Sequence, residues 1–269
     1  MHPVVAAADP VKVGSMLFTL VDPHPGHEVA YNRWYERDHF YAGCMIGPWQ
    51  FAGRRFVATA ELKKLRDPDP TPITGAPHRG SYAAVYWVLE GHHDDWNLWA
   101  VDQVRALHRA GRMFEERDHV HTLLYRYLFE VGRDEDPVPA ELALDHPYQG
   151  MIAMWVDGAE GIPRYELEAR LRDVHLPAVL EGSEAGLVIG WEPLPLQVDV
   201  PGVARSESED RRVLLIWFTD APPDECWRST VGAARQRIEA ADHGTVVASI
   251  PFIPTIPGTD TYADRLWVR

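Results

Sequence analysis

The stretch MLFTLVD (16–22) decides the fold, because a close copy of it, MIAMWVD (151–157), stands 135 residues further along the chain. Both stretches are apolar, contain β-branched residues and end in Val-Asp, which is typical of β-strands. A second pair of stretches at nearly the same offset follows them. AYNRWYERDHFYAGCM (30–45) aligns with ELEARLRDVHLPAVLE (166–181), and both are predicted to be helices. The chain is therefore predicted to be an internal repeat.

Each half of the chain is predicted to have the element order β-α-β-β-α-β. A Pro/Gly-rich excursion interrupts the first half at 61–80, and a second one, at 192–211, interrupts the second half at the matching position. Hydrophobic periodicity places strands at 15–22, 49–62, 81–91, 119–131, 211–220 and 245–253, and helices at 27–42, 94–111 and 223–241. The first strand and the first helix in this series are those already described.

This element order is the ferredoxin-like motif, an antiparallel four-stranded sheet with both helices on one face. The other face is apolar and must be buried, and a short linker lets two copies bury it against each other. The sequence therefore predicts an α+β protein of two tandem ferredoxin-like repeats packed sheet to sheet as an intramolecular α/β barrel. The predicted boundaries are 13–132 for the first repeat, 133–148 for the linker, 149–258 for the second repeat and 259–269 for a C-terminal tail.

Composition narrows the partners of the protein. The 269 residues include 40 acidic and 26 basic side chains, and the net charge of -14 repels nucleic acid and anionic membranes. Two cysteines, Cys44 and Cys226, are too few for a disulfide framework, and no apolar stretch approaches the ~20 residues of a membrane helix. We expect a cytoplasmic protein that binds a small hydrophobic ligand, and a homodimer beyond the internal pseudo-dimer is compatible with the sequence.

The segment WYERDHF (34–40), followed by a Gly-Pro turn and the strand GRRFVAT (53–59), resembles the dimeric α/β-barrel superfamily and its EthD-like branch. The second half keeps only the histidine, as His175. The resemblance implies the fold for nearly the whole chain but not one activity, because its members include monooxygenases, lactone isomerases, polyketide cyclases and haem-binding peroxidases. The G-x-x-D-G element of the peroxidases and the common nucleotide motifs do not occur, so no cofactor is expected.

His39 is the leading catalytic candidate, because Trp34 and Tyr35 lie close to it on the predicted helix and Asp38 is adjacent. An imidazole in an aromatic cleft suits proton transfer, with Asp38 orienting it. The alternative is a structural histidine that caps the helix, and the equivalent His175 supports that interpretation.

His119 and His121 form a second candidate, because alternate strand residues point to one face, together with Tyr125. They supply two metal ligands, but a third has no obvious spacing, so no metal is expected. A polar start to an apolar strand is the structural alternative. Trp87 on the third strand is predicted to line a cavity or the core, and Arg55 to bind a substrate carboxylate or to face solvent.

These residues lead to one functional hypothesis and two alternatives. The hypothesis is a cofactor-free acid/base enzyme of isomerase, cyclase or lyase type, acting on a small hydrophobic, aromatic or polyketide-like compound. The alternatives are a non-catalytic ligand-binding or accessory protein of a degradation pathway and a monooxygenase of the same fold. The predicted catalytic residues are His39, Asp38 and Tyr35, and the predicted substrate-binding residues are Trp34, Trp87, Arg55, His121 and Tyr125.

Overall fold

In the computed structural model, which describes residues 10–194 and 209–267, eight antiparallel strands close into one barrel. The strands are β1 (Val13–Pro23), β2 (Gln50–Val57), β3 (Tyr82–Leu89), β4 (Arg117–Gly132), β5 (Gly150–Gly158), β6 (Ala185–Leu194), β7 (Arg212–Thr219) and β8 (Gly244–Pro254). Around the barrel they follow the order β1-β3-β2-β8-β5-β7-β6-β4.

Helices pack against the outer surface of the barrel. They are α1 (Glu28–Trp34), α2 (Ala60–Lys63), α3 (His93–Arg109), α4 (Arg164–Arg170), α5 (Leu176–Leu180), α6 (Pro223–Cys226) and α7 (Ala233–Ala240). Three π-helical segments adjoin them, at Tyr35–Met45, Leu171–His175 and Arg228–Gly232. None of the helices in the described ranges combines the length and the apolar character that a bilayer crossing requires.

The two faces of each strand are buried in different places. On β1, Met16, Phe18 and Leu20 point into the barrel, whereas Leu17 and Val21 point outward to the helices, as the two-residue period of a strand requires. The barrel interior is filled by side chains, among them the fully buried rings of Trp87, Trp155 and Trp191. The barrel is therefore a packed core with helices outside it.

The first four strands have the order β4-β1-β3-β2 and the last four the order β8-β5-β7-β6. The sequence predicted that the two sheets would bury their apolar faces together in an α/β barrel, and the closed barrel confirms this. The sheets also join edge to edge, through β4 with β6 and β2 with β8, so that their curvature turns both apolar faces inward. Edge pairing satisfies the backbone N–H and C=O groups that stacked sheets would leave exposed.

The structure also changes the predictions for the strand at 49–62 and for the linker. The predicted strand 49–62 is a strand only as far as Val57, after which the capping residue Thr59 begins the short helix α2. The predicted linker contacts one end of the barrel, since Ala140 and Leu144 are buried and the Ala140 carbonyl accepts a hydrogen bond from Trp87 Nε1 at 3.0 Å. Of the predicted excursion at 192–211, residues 195–208 lie outside the described ranges.

The predicted C-terminal tail is an ordered part of the fold. Residues 256–267, here called the C-terminal clasp, lie across α1. Asn32 Nδ2 donates to the Thr259 carbonyl at 2.9 Å, and Trp267 Nε1 donates to Glu28 Oε1 at 2.7 Å. Leu266 is fully buried beneath them. Residues 256–267 are thereby fixed to the first helix.

Because β4 pairs with β6 and β2 with β8, a fragment of residues 1–135 would have two unpaired strand edges and an exposed apolar face. We expect this fragment to dimerise or aggregate in size-exclusion chromatography with light scattering, whereas the full chain completes its barrel alone. A fragment that stays monomeric and shows native-like circular dichroism would contradict this expectation.

Candidate functional site

His39 lies in the π-helical segment Tyr35–Met45 that continues α1, and π-helical turns are frequent at functional sites. Its ring stacks on Trp34, with centroids 4.5 Å apart and planes 19° apart, and meets the ring of Tyr35 edge-on at 5.2 Å. On another side, a Cβ at Gly43 would lie 2.8 Å from the imidazole. Two aromatic rings and a glycine backbone therefore fix the orientation of His39.

The imidazole of His39 is held in its neutral form. Its burial, with the nearby charges of Arg117 and His119, lowers its pKa to about 4, and the charge of Asp38 opposes this fall only in part. The ring is half-buried, with Nδ1 inside, and neither ring nitrogen has a hydrogen-bond partner among the described residues. His39 is thus a neutral imidazole at physiological pH without a structural hydrogen bond.

Asp38 does not orient His39 as the sequence suggested. Its carboxylate forms an ion pair with Arg112, whose Nε donates to Oδ2 at 3.2 Å. Because Nδ1 of His39 has no partner, Asp38 acts on the imidazole only through its charge.

A β-bulge separates the two histidines that were predicted to share one face. His121 is opposite Leu20 and His119 is opposite the next residue of β1, Val21, so Val120 is an extra residue in β4. The extra residue reverses the alternation of side chains. His119 therefore points outward to the helices and His121 into the barrel, and the predicted pair on one face is wrong.

His119 and Arg117 join His39 on the outer face. Arg117 Nε lies 3.4 Å from His119 Nε2, and the Arg117 guanidinium carbon lies 4.9 Å from the centre of the Trp34 ring. Arg117 was not among the residues predicted from the sequence. The two-residue spacing that relates it to His119 on β4 was the available signal.

Arg55 and Tyr35 lie behind these residues, between α1 and the sheet. Arg55 is 4% exposed and donates to Asn32 Oδ1 at 2.8 Å and to Glu36 Oε1 at 3.2 Å. The Tyr35 hydroxyl pairs with that of Tyr86 at 2.8 Å, and burial raises the pKa of Tyr35 well above its ordinary value. The gap beside them is too narrow for a water molecule. Arg55 does not face solvent, and in this conformation it does not reach a ligand.

The other predicted site residues lie inside the barrel. His121 Nε2 and the Tyr125 hydroxyl are 2.9 Å apart, and Trp155 Nε1 donates to the same hydroxyl at 3.2 Å. Burial lowers the pKa of His121 to about 4. Trp87 is in the same core. The sheet separates these residues from His39. The eight predicted residues form two groups.

A cleft of about 580 Å³ lies elsewhere, at the end of the barrel beside the start of α3. His93 Nδ1 contacts the Ser15 hydroxyl there at 2.9 Å, and Arg126 and Tyr127 also line it. None of the sequence-predicted site residues lines this cleft. In the described ranges no group of three metal-ligating side chains is present.

His175, which the sequence alignment pairs with His39, has a different environment. It is 3% exposed, and its Nε2 lies 2.8 Å from His243 Nδ1. Arg170 Nη1 donates to the other nitrogen of His243, at 2.7 Å. A chain of hydrogen bonds thus holds His175 in the second half, whereas His39 has none.

The closed barrel with outer helices also occurs in solved structures of other proteins. An anthrone oxidase-like protein is 10% identical, with a TM-score of 0.51 over 93% of this chain and 98% of that one. A candidate chlorite dismutase is 11% identical, with a TM-score of 0.52 over 95% and 100%. No family model and no curated protein matches the sequence. At these identities the likeness shows the fold alone.

Proposed function

We propose that the protein is an enzyme that moves a proton on a small hydrophobic, aromatic compound without a cofactor, with His39 as the base. One observation carries the proposal: His39 is a neutral imidazole with no hydrogen bond in the described chain, held against Trp34 and the backbone of Gly43. A structural histidine would use a ring nitrogen to bind the fold, as His175 does.

The chemistry follows from the protonation state. A neutral imidazole accepts a proton from a carbon or oxygen acid, and the anion formed beside it raises the pKa of the imidazole and favours the transfer. Trp34 stacks on the imidazole and fixes its plane. Tyr35 packs edge-on against the His39 ring. Its hydroxyl is bound to that of Tyr86, so its role is to support the imidazole.

We also propose that the two halves are tandem repeats, with the boundaries 13–132, 133–148, 149–258 and 259–269, and that only the first keeps the site. Equal strand orders in the two halves support this, and so does a π-helical segment with its histidine in each, at His39 and His175. The second histidine stabilises the fold.

A monooxygenase is the second candidate function, favoured by the likeness to an anthrone oxidase-like protein. Removal of a proton by His39 would also be the first step of a monooxygenase reaction, since a deprotonated aromatic carbon acid is electron-rich and can be oxidised by O₂. Oxygen consumption that depends on His39 would distinguish this candidate from an isomerase.

The test compares His39→Gln with His175→Gln. With phenylpyruvate as an aromatic carbon acid in D₂O, we expect the wild-type protein to accelerate loss of the benzylic proton signal in NMR spectra. His39→Gln should lower this acceleration about a hundredfold, in line with the usual contribution of a general base, and leave the melting temperature nearly unchanged. His175→Gln should keep the acceleration and lower the melting temperature, because it breaks a buried hydrogen bond.

A panel of aromatic carbon acids should be tested with the wild-type protein. If their protons exchange no faster than in buffer alone, the protein is better explained as a non-catalytic ligand-binding protein. Equal loss of melting temperature in both variants would show that the two histidines share a structural role.

A further inference from the structure

We infer that the His39 site takes a ligand with a negative charge, an aromatic carboxylate or phenolate, and that Arg117 binds that charge. The inference rests on the proposed function for the place of the site and adds the chemical class of the ligand. It begins from the charges around Arg117.

Arg117 is a half-buried cation without a carboxylate partner in the described part of the chain. Its Nη1 donates to the Phe114 carbonyl, its Nε faces His119, and its guanidinium lies over Trp34. Burial lowers the pKa of Arg117, and only the neighbouring hydroxyls of Tyr31 and Tyr35 oppose the fall. A partly desolvated charge of this kind is unfavourable until an opposite charge binds.

Two acidic residues beside the site have other partners. Asp118, next to it on β4, contacts His24 at 3.2 Å and Arg79 at 3.3 Å. Asp38, next to His39, is bound to Arg112. Because both carboxylates are already paired, neither neutralises Arg117.

The groups around Arg117 are suited to an aromatic anion. Nη2 of Arg117 makes no hydrogen bond among the described residues and is not buried, so a carboxylate or phenolate oxygen can accept from it. Trp34 and Phe114, with ring centroids 5.6 Å apart, are both half-buried beside it. The imidazole of His39 is neutral because burial and the charge of Arg117 lower its pKa to about 4. Asp38 and Asp118, the carboxylates beside the site, are bound to Arg112 and Arg79, which weakens their repulsion of an anionic ligand.

Calorimetric titration with 2-naphthoate and 2-naphthalenemethanol tests the inference, since the two probes share the ring and differ in charge. We expect the wild-type protein to bind the carboxylate at least about tenfold more tightly, as a charge-assisted hydrogen bond would provide. This preference should weaken as salt is added. The measurement needs no variant and is therefore independent of any folding defect.

Arg117→Met should abolish the preference for the carboxylate, and Arg117→Lys should keep part of it. Arg109→Met is the matched control, because it removes the same charge from an exposed position on α3, and it should leave both affinities unchanged. Equal binding of the two probes by the wild-type protein, or an unchanged preference in a folded Arg117→Met, would overturn the inference. Either result would leave the His39 exchange test untouched, and failure of that test would not alter the preference for the carboxylate.

Discussion

Lowering the pH from 7 to 4 is expected to lower the free energy of unfolding by several kcal/mol, because buried imidazoles must become protonated. Burial lowers the pKa of His121 and of His175 from an ordinary value of 6.5 to about 4. Between these values the unfolded chain binds more protons than the folded one, so stability is complete above pH 6.5 and is lost as the pH falls toward 4. Each shift corresponds to about 3 kcal/mol at most.

Urea unfolding at pH 7, 6, 5 and 4 measures this effect. His175→Gln should be less stable at pH 7 but should show a shallower dependence on pH, since one of the titrating groups is gone. His108→Gln, at an exposed position on α3, should follow the wild-type curve. A free energy of unfolding that stays constant from pH 7 to pH 4.5 would show that the buried histidines are not held neutral.

Trp155→Ala should remove about 3–5 kcal/mol of stability, the usual loss when a large buried aromatic side chain is truncated. The Trp155 ring is fully buried in the barrel, packs edge-on against Phe18 with centroids 5.8 Å apart, and donates to the Tyr125 hydroxyl. The substitution leaves a cavity and removes the indole donor of a buried hydrogen bond. Equilibrium unfolding in urea measures the loss.

Trp99→Ala is the matched control, since it makes the same truncation at a half-buried position on α3. Its effect should be clearly smaller, because Trp99 lies outside the barrel core. Similar losses for the two variants would mean that the barrel interior is not the principal core of the protein.

The strand and helix order could be predicted from the sequence because it depends on local patterns. The apolar, β-branched runs at 16–22 and 151–157 indicate strands, and most predicted elements have counterparts within a few residues. The bulge at Val120 could not be predicted in this way. It depends on how β4 pairs with β1, and a single extra residue is enough to place His121 in the barrel and His119 outside it.

The contact between Trp34 and His39 was expected from their closeness in the sequence. The π-helical turn that allows the contact was not expected. In an ordinary α-helix, residues five apart differ by about 140° around the axis. The wider π-helical turn brings them to one side, and their rings stack. Arg117 reaches the same site from β4, more than seventy positions along the chain. Local spacing therefore identified one side of the site and missed the other.

The two half-sheets of the barrel join at two seams, one where β4 pairs with β6 and a short one where β2 pairs with β8. The two seams differ in length, which affects where the barrel opens. β4 and β6 pair from Leu124–Leu194 to Gly132–Leu187, whereas β2 and β8 pair only at Phe56–Pro254 and Val57–Ile253. Local opening should therefore begin at the short seam and show there as faster amide hydrogen exchange. The C-terminal clasp follows β8 after one residue and contacts α1. Opening of the β2–β8 pairing would therefore be transmitted through the clasp to the helix that leads into His39, so the rigidity of the candidate site depends on residues 256–267.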